Sequence, residues 1–391
     1  MMHESFRSGT LDRTLAKTVR NERYIFIACP WTPVGGGMFK VADYLIQSQA
    51  ELLSPGAARL RPLDTRGADR AVFSLWFLLV AVGKILVGRM RGGLAGVHVN
   101  VAERMSLFRK GTLIVACAAV GVPTVLHLHA QMYRFYDTLP RILRSLTRWV
   151  FSLPQAVIVI GPVTRKFVIE VLHVPPDRVR TIMNGVPEQG GYRATARSGG
   201  RQRALFVGNL SNRKGLPELL RALADPALDP SRLELVIAGG GDIAGYQAQA
   251  SAAGVAGMVR FEGWCDQQKV SRLLADCDLL VLPSHDEVLP LVILEALAHE
   301  VPVVTTAVGE IPSLLTDGVD VVFVAPGDPA SIAAGMQKVL ADPALRQSLT
   351  KNGRALYLLH CSLAAFFSSV ANVHRRYFGV AGQFAAARTP R

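Results

Sequence analysis

The sequence predicts an α/β protein made of two doubly wound, Rossmann-like domains that face each other across a cleft. Three observations lead there. Short apolar strands alternate with helical stretches from 24 to 160 and again from 204 to 324, the pattern of parallel sheets whose crossovers are helices. Residues 191–203 separate the two series; they are polar, rich in Gly and Arg, and have the composition of a linker. At 391 residues, half of them hydrophobic, the chain exceeds one ordinary core.

Taken in order, residues 1–23 are polar and read as a flexible leader; with no apolar run behind the basic residues, no secretory signal is expected there. Residues 24–190 form the first domain, with strands over 24–29, 96–101, 124–129 and 156–160 and helices over 38–50, 72–88 and 107–120. The stretch 71–88 is apolar except for Ser74 and Lys84 and approaches bilayer-crossing length. Arg89, Arg91 and the strand-like GVHVNV behind it fit a buried or membrane-facing helix better than a span. The second domain, 204–361, carries strands over 204–207, 233–238, 259–262, 279–282, 301–305 and 321–324. A helix over 362–378 opens the tail 362–391 and is expected to cross back onto the first domain.

Charge divides unevenly along the chain. Residues 1–190 hold 24 Lys and Arg against 12 Asp and Glu, and the remainder holds 19 against 18, so nearly all of the net +13 belongs to the first half. Such a field favours anionic partners. Nucleic acid is set aside, because there is no zinc-finger spacing and no interleaving of basic with aromatic residues. An anionic membrane surface fits better. In 141–151 arginines alternate with apolar residues at helical spacing, and Trp149 and Phe151 suit the headgroup boundary; an ordinary packing helix with a basic face is the alternative. Cysteines 29, 117, 265, 277 and 361 are scattered singly, as in a reducing compartment.

Several loops follow strands at what would be one sheet edge. Val34-Gly35-Gly36-Gly37 follows the first strand and lets a ligand approach backbone N–H groups, although its spacing fails the dinucleotide fingerprint. Gly208-Asn209 leads to the adjacent cations Arg213 and Lys214, which can neutralise a diphosphate. Gly239-Gly240-Gly241-Asp242 follows the next strand. The strand 279–283 then leads to Glu287, and Pro290 is placed to open a helix that carries Glu295 on a stripe with Leu291, Leu294 and Leu297. His127 and His129, at i, i+2, share a sheet face but lack a third ligand at any recognisable distance, and Asp276-Cys277-Asp278 reads as a helix end, so no metal site is expected.

Together these stretches resemble the retaining nucleotide-sugar glycosyltransferases of the GT-B fold, family 4. The resemblance rests on GGGMFKVADYL, VLHLHA, TIMNGVP, VGNLSNRKG, IAGGGD, VRFEGWC, ADCDLLVLPS and EVLPLVILEALAHEVPVVTTAVGEIP, in that order. Within the family, HVNVAERMSLFRKG followed by VLHLHA is similar to enzymes of bacterial capsule and exopolysaccharide assembly. The resemblance implies that Glu287 faces the donor sugar, Glu295 holds the nucleotide ribose and Lys214 holds the diphosphate. It implies that Gly36, Gly37 and Gly240 line the donor and that His129 lies near the transferred sugar. Asn209 stands where the family has an arginine, leaving Arg213 as the nearest cation able to assume that task, and Val288 stands where a glycine follows the first glutamate.

The implied activity is transfer of a hexose, with GDP-mannose the first expectation, onto a polyprenyl-diphosphate-linked oligosaccharide at the inner face of the plasma membrane, without metal or other cofactor. The first domain would bind the acceptor and the second the nucleotide sugar. A UDP-sugar-dependent glucosyl or galactosyl transferase, a catalytically degenerate subunit of the same fold, and a sugar-nucleotide epimerase remain open.

Overall fold

A computed structural model of the chain describes residues 23–31, 36–49, 57–67, 74–188 and 201–381. The expected leader lies outside these residues except for Arg23, as does the expected linker except for 201–203. The chain divides into two compact units, one drawn from 1–160, 164–182 and 367–391, the other from 161–163 and 183–366.

The first unit runs β1 (Tyr24–Cys29), α1 (Gly37–Gln47), β2 (Arg59–Asp64), α2 (Ser74–Met90), β3 (Leu94–Val101), α3 (Met105–Ala119), β4 (Thr124–Leu128), α4 (Met132–Thr138), α5 (Arg141–Ser152), β5 (Ala156–Val159), α6 (Pro162–Glu170) and β6 (Val179–Thr181). Its six strands are all parallel in the order β2-β1-β3-β4-β5-β6. β3, β4 and β5 are almost wholly buried, as expected of strands with helices on both faces. Two strands were not anticipated. β2 reads Arg-Leu-Arg-Pro-Leu-Asp, with Arg59, Arg61 and Pro62 exposed, and only an edge position tolerates a proline that cannot donate to a ladder. β6 is a three-residue strand at the opposite edge.

α2 buries Leu78, Ala81, Ile85 and Gly88 and turns Leu75, Trp76, Leu79, Leu86 and Met90 outward. Among the described residues no helix is long and apolar enough to cross a membrane. α5 exposes Ile142, Leu146 and Trp149, whereas Phe151 is fully buried. The expected pairing of Trp149 with Phe151 at a surface is therefore corrected: two residues along a helix are about 200° apart, and the core takes the second ring.

The second unit runs β7 (Gln202–Val207), α7 (Leu216–Ala222), β8 (Leu233–Ala238), α8 (Ile243–Ala252), β9 (Val259–Gly263), α9 (Gln267–Ala275), β10 (Leu279–Leu282), α10 (Leu291–Ala298), β11 (Val303–Thr306), α11 (Ile311–Leu314), β12 (Val322–Val324), α12 (Pro329–Ala341) and α13 (Pro343–Leu356). Its parallel order is β12-β11-β10-β7-β8-β9. A last helix, α14 (Leu363–Phe378), belongs to the first unit from Phe367 onward. The chain enters the second unit after Ile182, before the stretch with linker composition. Val186 bridges Ser362 and donates its N–H to the Cys361 carbonyl at 3.0 Å, while the Tyr357 hydroxyl donates to the Val186 carbonyl at 3.1 Å.

Candidate active site

In the second unit β7 leads rightward to β8 and β9, whereas β10 lies on its other side and leads to β11 and β12. The strand order therefore reverses between β7 and β10, and the loops leaving those two strands diverge, which is where open α/β sheets bind ligands. These loops carry the cations and the glutamate. β10 ends at Leu282, and Ser284 follows with its carbonyl tied to β11 by the Thr306 hydroxyl at 2.6 Å. Ser284 also donates its own hydroxyl to Glu287 Oε1 at 3.0 Å.

Lys214 Nζ forms an ion pair with Glu287 Oε1, and Arg213 Nη1 lies 3.9 Å from Glu287 Oε2 while donating to the Asp286 carbonyl at 2.7 Å. Lys214 and Glu287 are largely enclosed, with side chains 12% and 9% exposed, whereas Arg213 is 55% exposed. The two loops are also joined by backbone, the His285 N–H donating to the Arg213 carbonyl at 2.9 Å. Lys214 ends a short 3-10 turn, Asn212–Lys214, that precedes α7. Gly215 behind it has φ +69, and a Cβ there would fall 2.0 Å from the Pro283 carbonyl oxygen. Only glycine allows that approach.

The third loop joins the same edge. Leu210 N–H donates to the Gly240 carbonyl at 2.9 Å, while a Cβ placed on Gly240 would meet nothing within 4 Å among the described residues. Packing against the described residues does not require that glycine. Asn209 is exposed, and its side chain makes no hydrogen bond among the described residues. Arg213 is thus the second cation beside Glu287. Glu295 sits in α10, where every residue is buried. Val288 is partly buried, and its carbonyl accepts from the Glu310 N–H at 2.8 Å.

The remaining candidates belong to the first unit. Gly36 caps α1, its carbonyl accepting from Phe39 and Lys40 N–H at 3.0 and 3.2 Å. Gly36 and Gly37 are exposed, and a Cβ on Gly36 would meet nothing within 4 Å among the described residues. His129 follows β4 and is half-buried, with Nε2 at 2.8 Å from Asn100 Oδ1.

Behind His129 lie His127 and further side chains that sequence reasoning passed over. His98 is hydrogen-bonded through both ring nitrogens, Nδ1 to His374 Nε2 at 2.9 Å and Nε2 to His127 Nδ1 at 3.2 Å. The His127 ring packs on His129 with centroids 4.0 Å apart. Burial, and then the neighbouring imidazoles, holds His98 and His127 well below the usual histidine range. Burial, His98 and the Lys110 ammonium bring His129 down to about 3. Lys110 is itself enclosed, 3.8 Å from Met38 Sδ, and burial lowers it to about 8. The alternation HVNV was the available signal, since His98 and Asn100 share one face of β3.

Among the described residues, no group of three or more His, Cys, Asp or Glu is arranged to hold a metal ion. Asp276 forms an ion pair with Arg203, and Asp278 accepts from the Arg203 backbone N–H at 2.8 Å. Both acids of that motif thus brace the start of β7.

Two family models match the chain, Glycosyl transferases group 1 over residues 193–356 and Glycosyltransferase Family 4 over residues 106–189. An uncharacterised glycosyltransferase of Methanocaldococcus jannaschii is 32% identical over 214 residues, 51% of this chain and 54% of that protein. A D-inositol 3-phosphate glycosyltransferase of Thermomonospora curvata is 33% identical over 205 residues, 46% of this chain and 48% of that protein. The chain spans about half the length of the curated relatives it matches. Among solved structures, Anabaena HepE in complex with UDP has a TM-score of 0.71 at 16% identity, covering 90% of this chain and 100% of that one; a further structure of HepE holds UDP-glucose. With its two six-stranded parallel sheets the chain has the GT-B fold, and the family models that match it are both glycosyltransferase models, family 4 over 106–189 and group 1 over 193–356.

Proposed function

We propose that the protein is a retaining glycosyltransferase that moves a hexosyl group from a nucleotide sugar to a polyprenyl-diphosphate-linked saccharide in exopolysaccharide assembly. The observation that carries this reading is the convergence of Lys214 and Arg213 on Glu287 at the strand-order reversal of the second unit. Two cations beside one carboxylate suit the junction of a diphosphate with a sugar. The diphosphate takes the ammonium and guanidinium charge, and the carboxylate takes sugar hydroxyls. Glu295 is assigned to the ribose. The N-terminus of α10 adds its dipole to the phosphate side.

In the reaction, the bond from the anomeric carbon to the diphosphate oxygen breaks and the acceptor oxygen bonds to that carbon from the same face. The acceptor's hydroxyl proton passes to the departing diphosphate. Lys214 and Arg213 stabilise the charge that builds on the leaving group, so no metal step is needed in this proposal. GDP-mannose is the first donor to try. UDP-glucose and UDP-galactose come next, and the UDP and UDP-glucose complexes of HepE favour including them. The test is product formation from each labelled donor with a lipid-linked acceptor, scored by the anomer formed. An inverted product, or an epimerised donor, would replace the reading. A chain that neither transfers sugar nor hydrolyses donor fits the degenerate-subunit alternative, for which Asn209 and Val288 are the grounds.

The acceptor side is assigned to the first unit, working at an anionic membrane surface on the cytoplasmic side. The outward row of α2, the exposed Ile142 and Trp149 of α5, and the basic residues Lys84, Arg89, Arg141 and Arg148 among them support this. The expected result is co-sedimentation with phosphatidylglycerol vesicles at low salt that weakens several-fold at about 0.5 M salt. Trp76→Ser with Leu79→Ser should reduce binding further without changing far-UV circular dichroism. Equal recovery with neutral and anionic vesicles would remove the role of anionic lipid, and no recovery with either at low salt would point to a soluble acceptor.

A further inference from the structure

Asn100 is fully buried in β3, the strand between β1 and β4. Its amide meets two partners, the Ala28 carbonyl at 3.3 Å through Nδ2 and His129 Nε2 at 2.8 Å through Oδ1. A backbone carbonyl only accepts, so the amino end of Asn100 has to face Ala28. Its Oδ1 then faces His129 and also only accepts, which requires the proton of His129 to sit on Nε2. In a neutral imidazole the lone pair is then on Nδ1. Exchanging the two ends of the amide would set oxygen against oxygen in a buried place, and turning the ring would set a C–H against Oδ1. Both leave a buried acceptor unpaired, which is costly.

The surroundings hold the ring in that state. His127 stacks on it at 35° between planes, and His127 is in turn held through His98 to His374. Burial, the neighbouring His98 imidazole and the Lys110 ammonium all oppose an imidazolium at His129. His98, His127 and His374 are fully buried, and His129 alone of the four keeps part of its surface open.

We propose that Asn100 is a positioning residue that fixes His129 as the Nε2–H tautomer, so that His129 presents Nδ1 as a hydrogen-bond acceptor to a hydroxyl of the transferred sugar. This rests on the reading of His129 as a sugar-facing residue. It limits the chemistry His129 performs: it accepts a hydroxyl proton in a hydrogen bond and delivers none to the leaving group. It also gives a specificity rule. A donor sugar lacking that hydroxyl leaves Nδ1 without its partner and is discriminated against more strongly than one differing by a methylene.

The test uses the full chain labelled with nitrogen-15 at histidine, with the His129 signals identified by their loss in His129→Gln. The expected spectrum shows a protonated Nε2 and an unprotonated Nδ1 for His129, unchanged between about pH 5 and 8. In Asn100→Asp the carboxylate stabilises the imidazolium and raises the His129 pKa, so Nδ1 gains a proton as pH falls. Its kcat/KM at pH 6 should be lower than at pH 8 by about tenfold more than in the wild type. At pH 8 the carboxylate still accepts from Nε2–H, and most activity should return. Wild-type His129 protonated on Nδ1 overturns the proposal, as does an Asn100→Asp profile that follows the wild type. If Asn100→Asp does not fold, the wild-type spectrum still decides the tautomer. A spectrum as expected from a chain that turns over no nucleotide sugar would overturn the sugar-binding role and with it the glycosyltransfer reading, while the tautomer assignment would stand.

Discussion

Lys214→Ala is expected to lower kcat by about a hundredfold or more, the scale seen when one preorganised charge-stabilising donor is removed. The ammonium is mostly enclosed, its partner Glu287 more so, and Arg213 approaches the same carboxylate only to 3.9 Å. Arg213 is also largely exposed, so its charge is screened and replaces little of what is lost. The fold should survive, because Glu287 keeps the Ser284 hydroxyl at 3.0 Å, but a carboxylate deprived of its ion-pair partner destabilises the native state. Thermal unfolding measured beside the steady-state rates separates the two effects. Glu287→Gln should lose a similar factor in kcat, and the double variant should lose less than the two single losses combined, because both residues act on one junction. Near-normal turnover in either single variant would remove the pair from the reaction.

The second large effect is on acid stability. His98, His127 and His129 are all held neutral by burial, with His129 at about 3. In the unfolded chain each titrates near about 6.5. Below that pH the unfolded state binds up to four protons that the folded state refuses, the fourth at His299, which burial lowers to about 4, so stability is fully present above pH 6.5 and is lost as pH falls. Each proton contributes about 1.4 kcal/mol per pH unit, giving a slope approaching roughly 5 kcal/mol per unit. Between about pH 6.5 and 5 unfolded-state carboxylates remain mostly ionised, so the imidazoles dominate this window. Urea unfolding at several pH values measures the slope, and His98→Gln should reduce it by about one quarter. A flat stability between pH 7 and 5 would mean that the cluster takes up protons while folded.

What could be read from the chain, and what could not, follows from the range of the interactions involved. The central strands β3, β4 and β10 are buried apolar runs, and their local pattern announces them. Glu287, Arg213 and Lys214 were legible because each sits in a loop or turn next to such a strand, and Glu295 because it lies in the helix that follows β10, so the order of elements puts them at one sheet edge. That Lys214 and Glu287 are ion-paired was not legible. Their pairing depends on β10 lying beside β7, a neighbour relation between strands separated by two others in the chain. β2 escaped because an edge strand needs neither alternation nor a full set of N–H groups. The imidazole chain escaped for the most physical reason: His98 and His374 are 276 positions apart and meet only because α14 returns from Phe367 onward to the first unit. Asn100 has no significance until the β1 carbonyl on one side and His129 on the other are both known.

The most direct measurement is the thermal unfolding of the full chain with GDP, UDP and ADP, each compared in wild type, Lys214→Ala and Asn100→Asp. A nucleoside diphosphate bound between the loops after β7 and β10, at about a hundred times its dissociation constant, stabilises the fold by about 2.7 kcal/mol. The predicted result is a shift of several degrees with GDP or UDP, lost in Lys214→Ala and kept in Asn100→Asp. No shift with any of the three nucleotides, or an undiminished shift in Lys214→Ala, would contradict the assignment of that edge to the donor diphosphate.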